Sequence, residues 1–208
     1  MDESVLALLL LFFFAAKRPK VGGRPVTIWN SDDMFVFGNT IKNTGVPVWA
    51  ALSVYTAESN LDPKAVNKKT QASGLAQIMP SVLLELGYTD GPAAFRKLSV
   101  ADQAPWIARL LEYQIRIIGF TPNKALDLYV ANLSPAASKA HAFKIYSKDN
   151  PAQADAYNKN AGLDTAGKGW IDRDDLGRVL AAVEQTGTYG HALDQWNTIE
   201  RALRQRGD

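Results

Sequence analysis

The sequence predicts a mainly α-helical protein. Three observations carry this. From residue 30 onward apolar residues recur at helical spacing almost throughout. Helix start and stop signals fall at regular intervals, among them Ser99 with Asp102, Gly119, Thr121-Pro122, and Asp172 with Asp175. Strand signal is slight, confined to weak alternation in VTIW and MFVF near residues 26–37.

Each element follows in order. Pro47 stands where a first helical turn tolerates it, and Val48, Leu52 and Tyr55 follow at i, i+4 and i+7, with Trp49 beside them. Ser99 and Asp102 form a capping-box pattern. The helix after it carries Trp106, Ile107, Leu110, Leu111 and Ile118 and stops at Gly119. Thr121-Pro122 opens a helix through Asn132, and Asn150-Pro151 opens a shorter one. Asp172 with Asp175 starts a helix through Gln185. A last helix runs from about His191 to Arg204, with Leu193, Trp196, Ile199 and Leu203 turned inward. Trp49, Trp106, Trp170 and Trp196 all sit in apolar surroundings and read mainly as core, with one of them open to a ligand subsite.

Composition sets the outer bounds. The chain has 208 residues, 47% of them hydrophobic, which suffices for one sizeable core. A net charge of +2 argues against a dedicated nucleic-acid binder. Cysteine is absent, so disulfides, thiol nucleophiles and Cys-based metal sites are excluded. His141 and His191 lie far apart with no HExxH pattern, and no P-loop or dinucleotide fingerprint occurs. No metal and no cofactor are expected. The terminal Arg-Gly-Asp reads as a frayed end.

The N-terminus is unusual. Val5 to Ala16 is an unbroken apolar run, shorter than the about 20 residues of a spanning helix. Asp2 and Glu3 precede it where a secretory signal carries positive charge, and Lys17, Arg18 and Lys20 follow it. A membrane anchor, a helix buried on a partner protein and an atypical signal all stay open, the first two favoured. VGGRP, residues 21–25, reads as a linker. The organisation expected is an apolar segment over 1–25, a helical domain over 26–150 and a helical extension over 151–208.

The segment from Glu58 to Pro80, ESNLDPKAVNKKTQASGLAQIMP, carries the chemistry. By periodicity Glu58 lands at the edge of the Val48, Leu52, Tyr55 stripe. On that ground alone, a glutamate at a helix end is a surface residue. Half-buried and flanked by aromatic surface, its carboxyl would lose hydration and gain a raised pKa, as a general acid near neutral pH requires. Pro63 turns the chain back, Ser73-Gly74 permits close backbone approach, and Gln77 and Met79 face the space so enclosed. Asp62 beside Pro63 reads as turn chemistry.

The string resembles the signature of the lysozyme-like soluble lytic transglycosylases. The matching residues are Glu58-Ser59, Pro63, Ala65 and Ser73-Gly74-Leu75-Ala76-Gln77-Ile78-Met79-Pro80. The loop Lys68 to Ala72 is a residue longer than the commonest version, and Asn67 stands where many members have serine. The later family motif, a tyrosine with an Asn-Ala-Gly turn, has its counterpart in Leu128-Tyr129-Val130-Ala131-Asn132-Leu133-Ser134-Pro135. Its glycine is replaced by SPAASK, a variation resembling phage virion-associated members. The resemblance covers about residues 40–145.

The resemblance implies a lysozyme-like fold of the goose-type lysozyme and transglycosylase kind. It implies peptidoglycan glycan strands as substrate and cleavage between N-acetylmuramic acid and N-acetylglucosamine with a 1,6-anhydro product. It makes Glu58 the catalytic residue and Asn67, Ser73, Gln77, Met79, Tyr129 and Asn132 substrate-binding. Within that set Tyr129 orients Glu58, Gln77 and Asn132 hold acetamido or hydroxyl groups, and Met79 forms an apolar wall. The setting expected is a phage virion acting in the bacterial periplasm, with residues 5–16 against membrane or other virion proteins. The alternatives are a protein attached to the membrane of the bacterial envelope, a water-using lysozyme, and a structural virion protein without turnover.

Asp164 to Asp175 has the outline of an EF-hand loop, with Asp164, Gly169, Ile171, Asp172 and Asp175 in register. Ala166 and Lys168 occupy two ligand positions, and the terminal acid is a short Asp. A retained turn that caps the next helix is expected, without calcium.

Overall fold

A computed structural model describes residues 29–206. The apolar run 5–16, the linker 21–25 and the last two residues of the terminal Arg-Gly-Asp lie outside the described residues. The molecule is mainly helical, as the periodicity requires.

α1 spans Ser31–Asn43. It overturns the weak strand reading of MFVF. Asn30 caps it by accepting from the Asp33 N–H at 2.7 Å, and Asp32 and Asp33 favour its first turn. Met34, Phe37, Gly38 and Ile41 then recur at helical spacing and are buried. Local alternation lost to a capped 3.6-residue period.

α2 spans Val48–Ser59 and is buried nearly all round, not on one stripe. It is the central helix of the fold. Trp49 is its exception and, contrary to the core reading, is 41% exposed. The helix ends at Asn60 in the left-handed conformation, so the stop precedes Pro63. α3 (Pro80–Glu85) and α4 (Pro92–Phe95) are short and each begins with its proline. α5 spans Val100–Ile118 between Ser99, which accepts from the Asp102 N–H, and Gly119. α6 is Ala125–Leu133, starting later than Thr121-Pro122 suggested. Ser134 then caps α7, Pro135–Lys139, by accepting from the Ala137 N–H. This is what SPAASK builds in place of a glycine turn.

The rest of the chain returns to the same core. β1 (Lys144–Ser147) pairs antiparallel with β2 (Trp170–Asp172) through Tyr146 opposite Ile171. Their brevity hid both strands from periodicity. The Tyr146 hydroxyl donates to the Leu133 carbonyl at the end of α6. α8 (Ala154–Asn160), α9 (Arg173–Glu184) and α10 (Gly187–Arg206) complete the fold. Leu176, Leu180, Val183 and Trp196 join one core with Tyr55, Leu128 and Tyr129. α9 packs on α2 and α6, and α10 packs on α1 and α2. A Cβ at Gly38 would stand 2.0 Å from the Trp196 ring, so glycine is what lets α10 close on α1.

The Asp164 to Asp175 loop is closed by its own lysine. The Lys168 Nζ donates to Asp172 at 2.5 Å and to Asp175 at 3.0 Å. Asp164 accepts from the Lys168 and Gly169 N–H groups and from the Tyr157 hydroxyl. The ammonium thus stands among carboxylates of a loop whose outline suits a metal ion. Burial alone would push the Asp172 carboxyl up, but Lys168, the Asp175 N–H and the Trp170 indole hold it below the ordinary range. Asp172 and Asp175 also form the reciprocal capping box of α9. Lys168→Met should cost roughly 1–3 kcal/mol at pH 7, because two shielded carboxylates lose their cation while Lys168 itself is partly solvated. A carboxyl with a depressed folded pKa stabilises above its unfolded pKa and loses this as pH falls through the folded one. The gap in Tm between variant and wild type should therefore narrow below about pH 4. Thermal melts at pH 7 and pH 3 check it.

Among the described residues no helix is long and apolar enough to cross a membrane.

Candidate active site

Glu58 lies in the last turn of α2. Both carboxyl oxygens are shielded from solvent, and neither makes a well-formed hydrogen bond. Burial pushes this carboxyl well above the usual range, while the nearby Asn132 amide acts in the opposite direction. A buried carboxyl is costly when ionised, so burial favours its protonated form.

The surroundings come from three helices. Tyr55 lies one turn before Glu58, fully buried, with its hydroxyl unpartnered. Tyr129 and Asn132 come from α6, three residues apart on the face that packs against α2. Burial and then the Glu58 charge push both tyrosine hydroxyls up, so both rings stand in the field of the carboxyl. Asn132 is fixed from behind. Its Oδ1 accepts from the Gln114 Nε2 of α5 at 2.9 Å, which leaves its nitrogen for Glu58.

The loop after α2 is a strained, self-bonded wall. Asn60, Leu61, Gln71 and Gln77 have positive φ, four of the five such non-glycine residues among those described. Strain of this kind persists only where the surroundings over-determine it and gathers at functional sites. Here Gln103 of α5 holds the loop. Its Oε1 accepts from the Leu75 N–H at 3.1 Å, and its Nε2 donates to the Pro63 carbonyl at 2.8 Å. The Trp29 indole donates to the Leu61 carbonyl at 3.0 Å. Ser73 bridges to Val66 and Ile78 in ladder fashion.

The residues expected at the site separate into two groups. Glu58, Tyr129 and Asn132 are brought together. Asn67 and Ser73 are engaged in shaping the loop: Asn67 accepts from the Lys69 and Thr70 N–H groups, and the Ser73 hydroxyl donates to Gln71 and accepts from Arg96. Gln77 is half-buried and folds back to donate to the Gly74 carbonyl at 2.9 Å. Met79 is half-buried at the start of α3. Asp62 accepts from the Lys64 N–H, the turn role expected of it.

Sequence reasoning missed Gln103 and Gln114. The signal was present. Both interrupt the apolar face of α5 that Ala104, Ile107, Leu110, Leu111 and Ile118 form, and both are buried. A glutamine on such a face must spend its amide on something.

Comparison with curated proteins and with solved structures returns no match. A family model does match, over α1 to α4, the stretch that carries Glu58 and its loop but not Tyr129 or Asn132. Residues 35–95 match the model described as Transglycosylase SLT domain, and the match supports that family for this part of a mainly helical, lysozyme-like chain.

Proposed function

We propose that this protein is a peptidoglycan lytic transglycosylase in which Glu58 is both acid and base. The observation that carries the reading is the Glu58 carboxyl itself: buried, without a well-formed hydrogen bond, and set beside the Asn132 amide and two tyrosines. Among the described residues, the groups that shift Glu58 include no second carboxylate. Two-carboxylate glycosidases need the second group as nucleophile or to hold water. An intramolecular nucleophile removes that need.

The proposed step balances on one proton. Protonated Glu58 gives it to the glycosidic oxygen as the muramic acid C1–O bond breaks, and the N-acetylglucosamine end leaves with a free hydroxyl. The muramic acid 6-hydroxyl then attacks the oxocarbenium-like C1, and ionised Glu58 takes its proton. A C1–O6 bond replaces the glycosidic bond, no water is consumed, and Glu58 ends as it began. Holding the 6-hydroxyl in the same ring supplies high effective molarity. A raised carboxyl pKa suits the first half, and donors around the carboxylate suit the second.

Digestion of purified sacculi, with the muropeptides read by mass, tests this. Products ending in 1,6-anhydro-muramic acid, one water lighter than reducing ends, are expected. Reducing ends alone would make the protein a hydrolase, and absence of release from folded wild type would remove the enzymatic reading. For the setting we propose a phage particle, on the strength of the apolar run 5–16 and the SPAASK variation. The chain should then appear in purified virions by mass spectrometry, and detection only in envelopes of uninfected cells would place it in the cell.

A further inference from the structure

We propose that the loop after α2 and the turn after α4 form one cationic face that takes the free carboxylates of peptidoglycan peptide stems. The proposal rests on the reading of peptidoglycan as substrate and names the part of that polymer the face selects. Residues 63–73 and 95–98 carry five cations, Lys64, Lys68, Lys69, Arg96 and Lys97, and no acid. The two stretches meet at one amide. The Gln103 Nε2 donates to the Pro63 carbonyl at 2.8 Å and stands 3.3 Å and 3.4 Å from the Phe95 and Leu98 carbonyls. A second tie runs from the Arg96 Nη1 to the Ser73 hydroxyl at 2.8 Å. Cations far apart in the chain are thereby gathered on the wall that follows Glu58.

This concentration does not reflect the charge of the whole. The chain has 23 basic and 21 acidic residues, so leaving out these five turns the balance acidic. The fold does not use the charges either. Lys64, Lys68, Lys69 and Lys97 are exposed, and among the described residues none of the five joins an ion pair. Like charges gathered without counter-charges repel one another and draw an anion. The backbone beneath them is held. The Asn67 carbonyl accepts from the Gln71 N–H at 2.7 Å, and the Gln71 Nε2 donates to the Lys68 carbonyl at 3.1 Å. A base fixed in this way has less freedom to lose on binding. The charge also picks out the ligand. The sugars of the glycan are neutral, and the lactyl carboxyl of muramic acid is used up in the amide bond to the stem. Free carboxylates therefore stand on the stems, which branch from alternate sugars beside the bond to be cleaved.

Cosedimentation with purified sacculi tests this, with the full chain carrying Glu58→Gln so that the polymer stays whole. The sacculi are stripped of phosphate polymers with hydrofluoric acid. They are used with carboxylates free, or after conversion of those carboxylates to amides with a carbodiimide and ethanolamine. The chain should bind the carboxylate form roughly 10-fold tighter than the amide form, because several exposed charge pairs of modest strength act together. With Lys64, Lys68, Lys69 and Lys97 also changed to glutamine, the two forms should bind alike. Arg96 is kept, because it holds Ser73. Changing Lys42, Lys124, Arg201 and Arg206 instead removes the same charge from other exposed positions and should preserve the preference. Equal binding of both forms by the chain with its lysines intact overturns the proposal. So does a preference that survives loss of the four lysines, or one that vanishes in the control set. Binding confined to sacculi that still bear phosphate polymers assigns the face to another ligand and overturns it as well. Cosedimentation needs no turnover. A wild type silent on sacculi would end the transglycosylase reading while the amide comparison still judges the cationic face.

Discussion

Glu58→Gln should lose at least ~10³-fold of its turnover on sacculi and yet melt higher than wild type at pH 7. The two halves of this result have one cause. The amide fills the volume of the carboxyl, but it can neither give a proton to the glycosidic oxygen nor take one from the 6-hydroxyl. General acid and general base steps are each worth about 10²–10⁴-fold, and in the proposed mechanism one side chain does both. Stability moves the other way because burial without partners penalises the ionised form. The folded pKa lies above the unfolded value of about 4.3, so the native state binds more protons in the window between them. Wild-type stability then falls as pH rises from the unfolded pKa to the folded one, and it levels off above. Glutamine has no such term. The variant's advantage should be absent near pH 4, grow with pH and then plateau. Each tenfold difference in proton affinity is ~1.4 kcal/mol, or roughly 3–6 °C in a domain of this size. Melts of both proteins from pH 4 to pH 8 check the stability, and muropeptide release checks the chemistry. A variant that loses stability at pH 7 would mean that the carboxyl is held by contacts and is not merely enclosed.

Much of this arrangement was legible in the residues. Long helices with caps read correctly: Ser99 with Asp102, Gly119 as the stop of α5, and Asp172 with Asp175 opening α9 all do what their chemistry requires. These signals are local, and local hydrogen bonds decide them. Glu58 and the loop stood out because a short, ordered string carries both the carboxyl and the wall that encloses it. What stayed hidden depends on neighbours distant in the chain. MFVF looked like a strand until Asn30 capped it as a helix. α2 looked one-sided, but α6, α9 and α10 cover its other faces, and no pattern within twelve residues reveals three partners. Lys168 read as a charge that spoils a metal loop, and in space it is the cation that the loop closes on. Ser73 was expected to bind substrate, and in the fold its hydroxyl donates to Gln71 and accepts from Arg96. The sequence names donors and acceptors. Only the fold says which of them are already occupied.

Gly74→Ala should be the most damaging single methyl in the loop, costing ~3 kcal/mol or more and most of the activity. Two independent terms add. Gly74 has φ of +75°, where an L side chain costs roughly 1–2 kcal/mol. The new Cβ would also stand 2.4 Å from the Gln103 Oε1 and 2.7 Å from the Phe95 ring. Neither neighbour can move freely. The Gln103 Oε1 holds the Leu75 N–H, its Nε2 holds the Pro63 carbonyl, and Phe95 is fully buried in a T-shaped contact with Tyr88. Pushing Gln103 away strands a buried N–H, at about 1–3 kcal/mol. Gly119→Ala separates the terms, since Gly119 has φ of +85° in the left-handed region but nothing within 4 Å of its Cβ position. It should carry the backbone cost alone. At roughly 2–4 °C per kcal/mol for a domain of this size, Gly74→Ala should melt several degrees below Gly119→Ala. Gln77 and Met79 ride on the same loop, and the Gly74 carbonyl is what Gln77 donates to, so muropeptide release should fall in the first variant and persist in the second. Equal melting points would show that the loop yields, and that Gln103 does not pin it against α5.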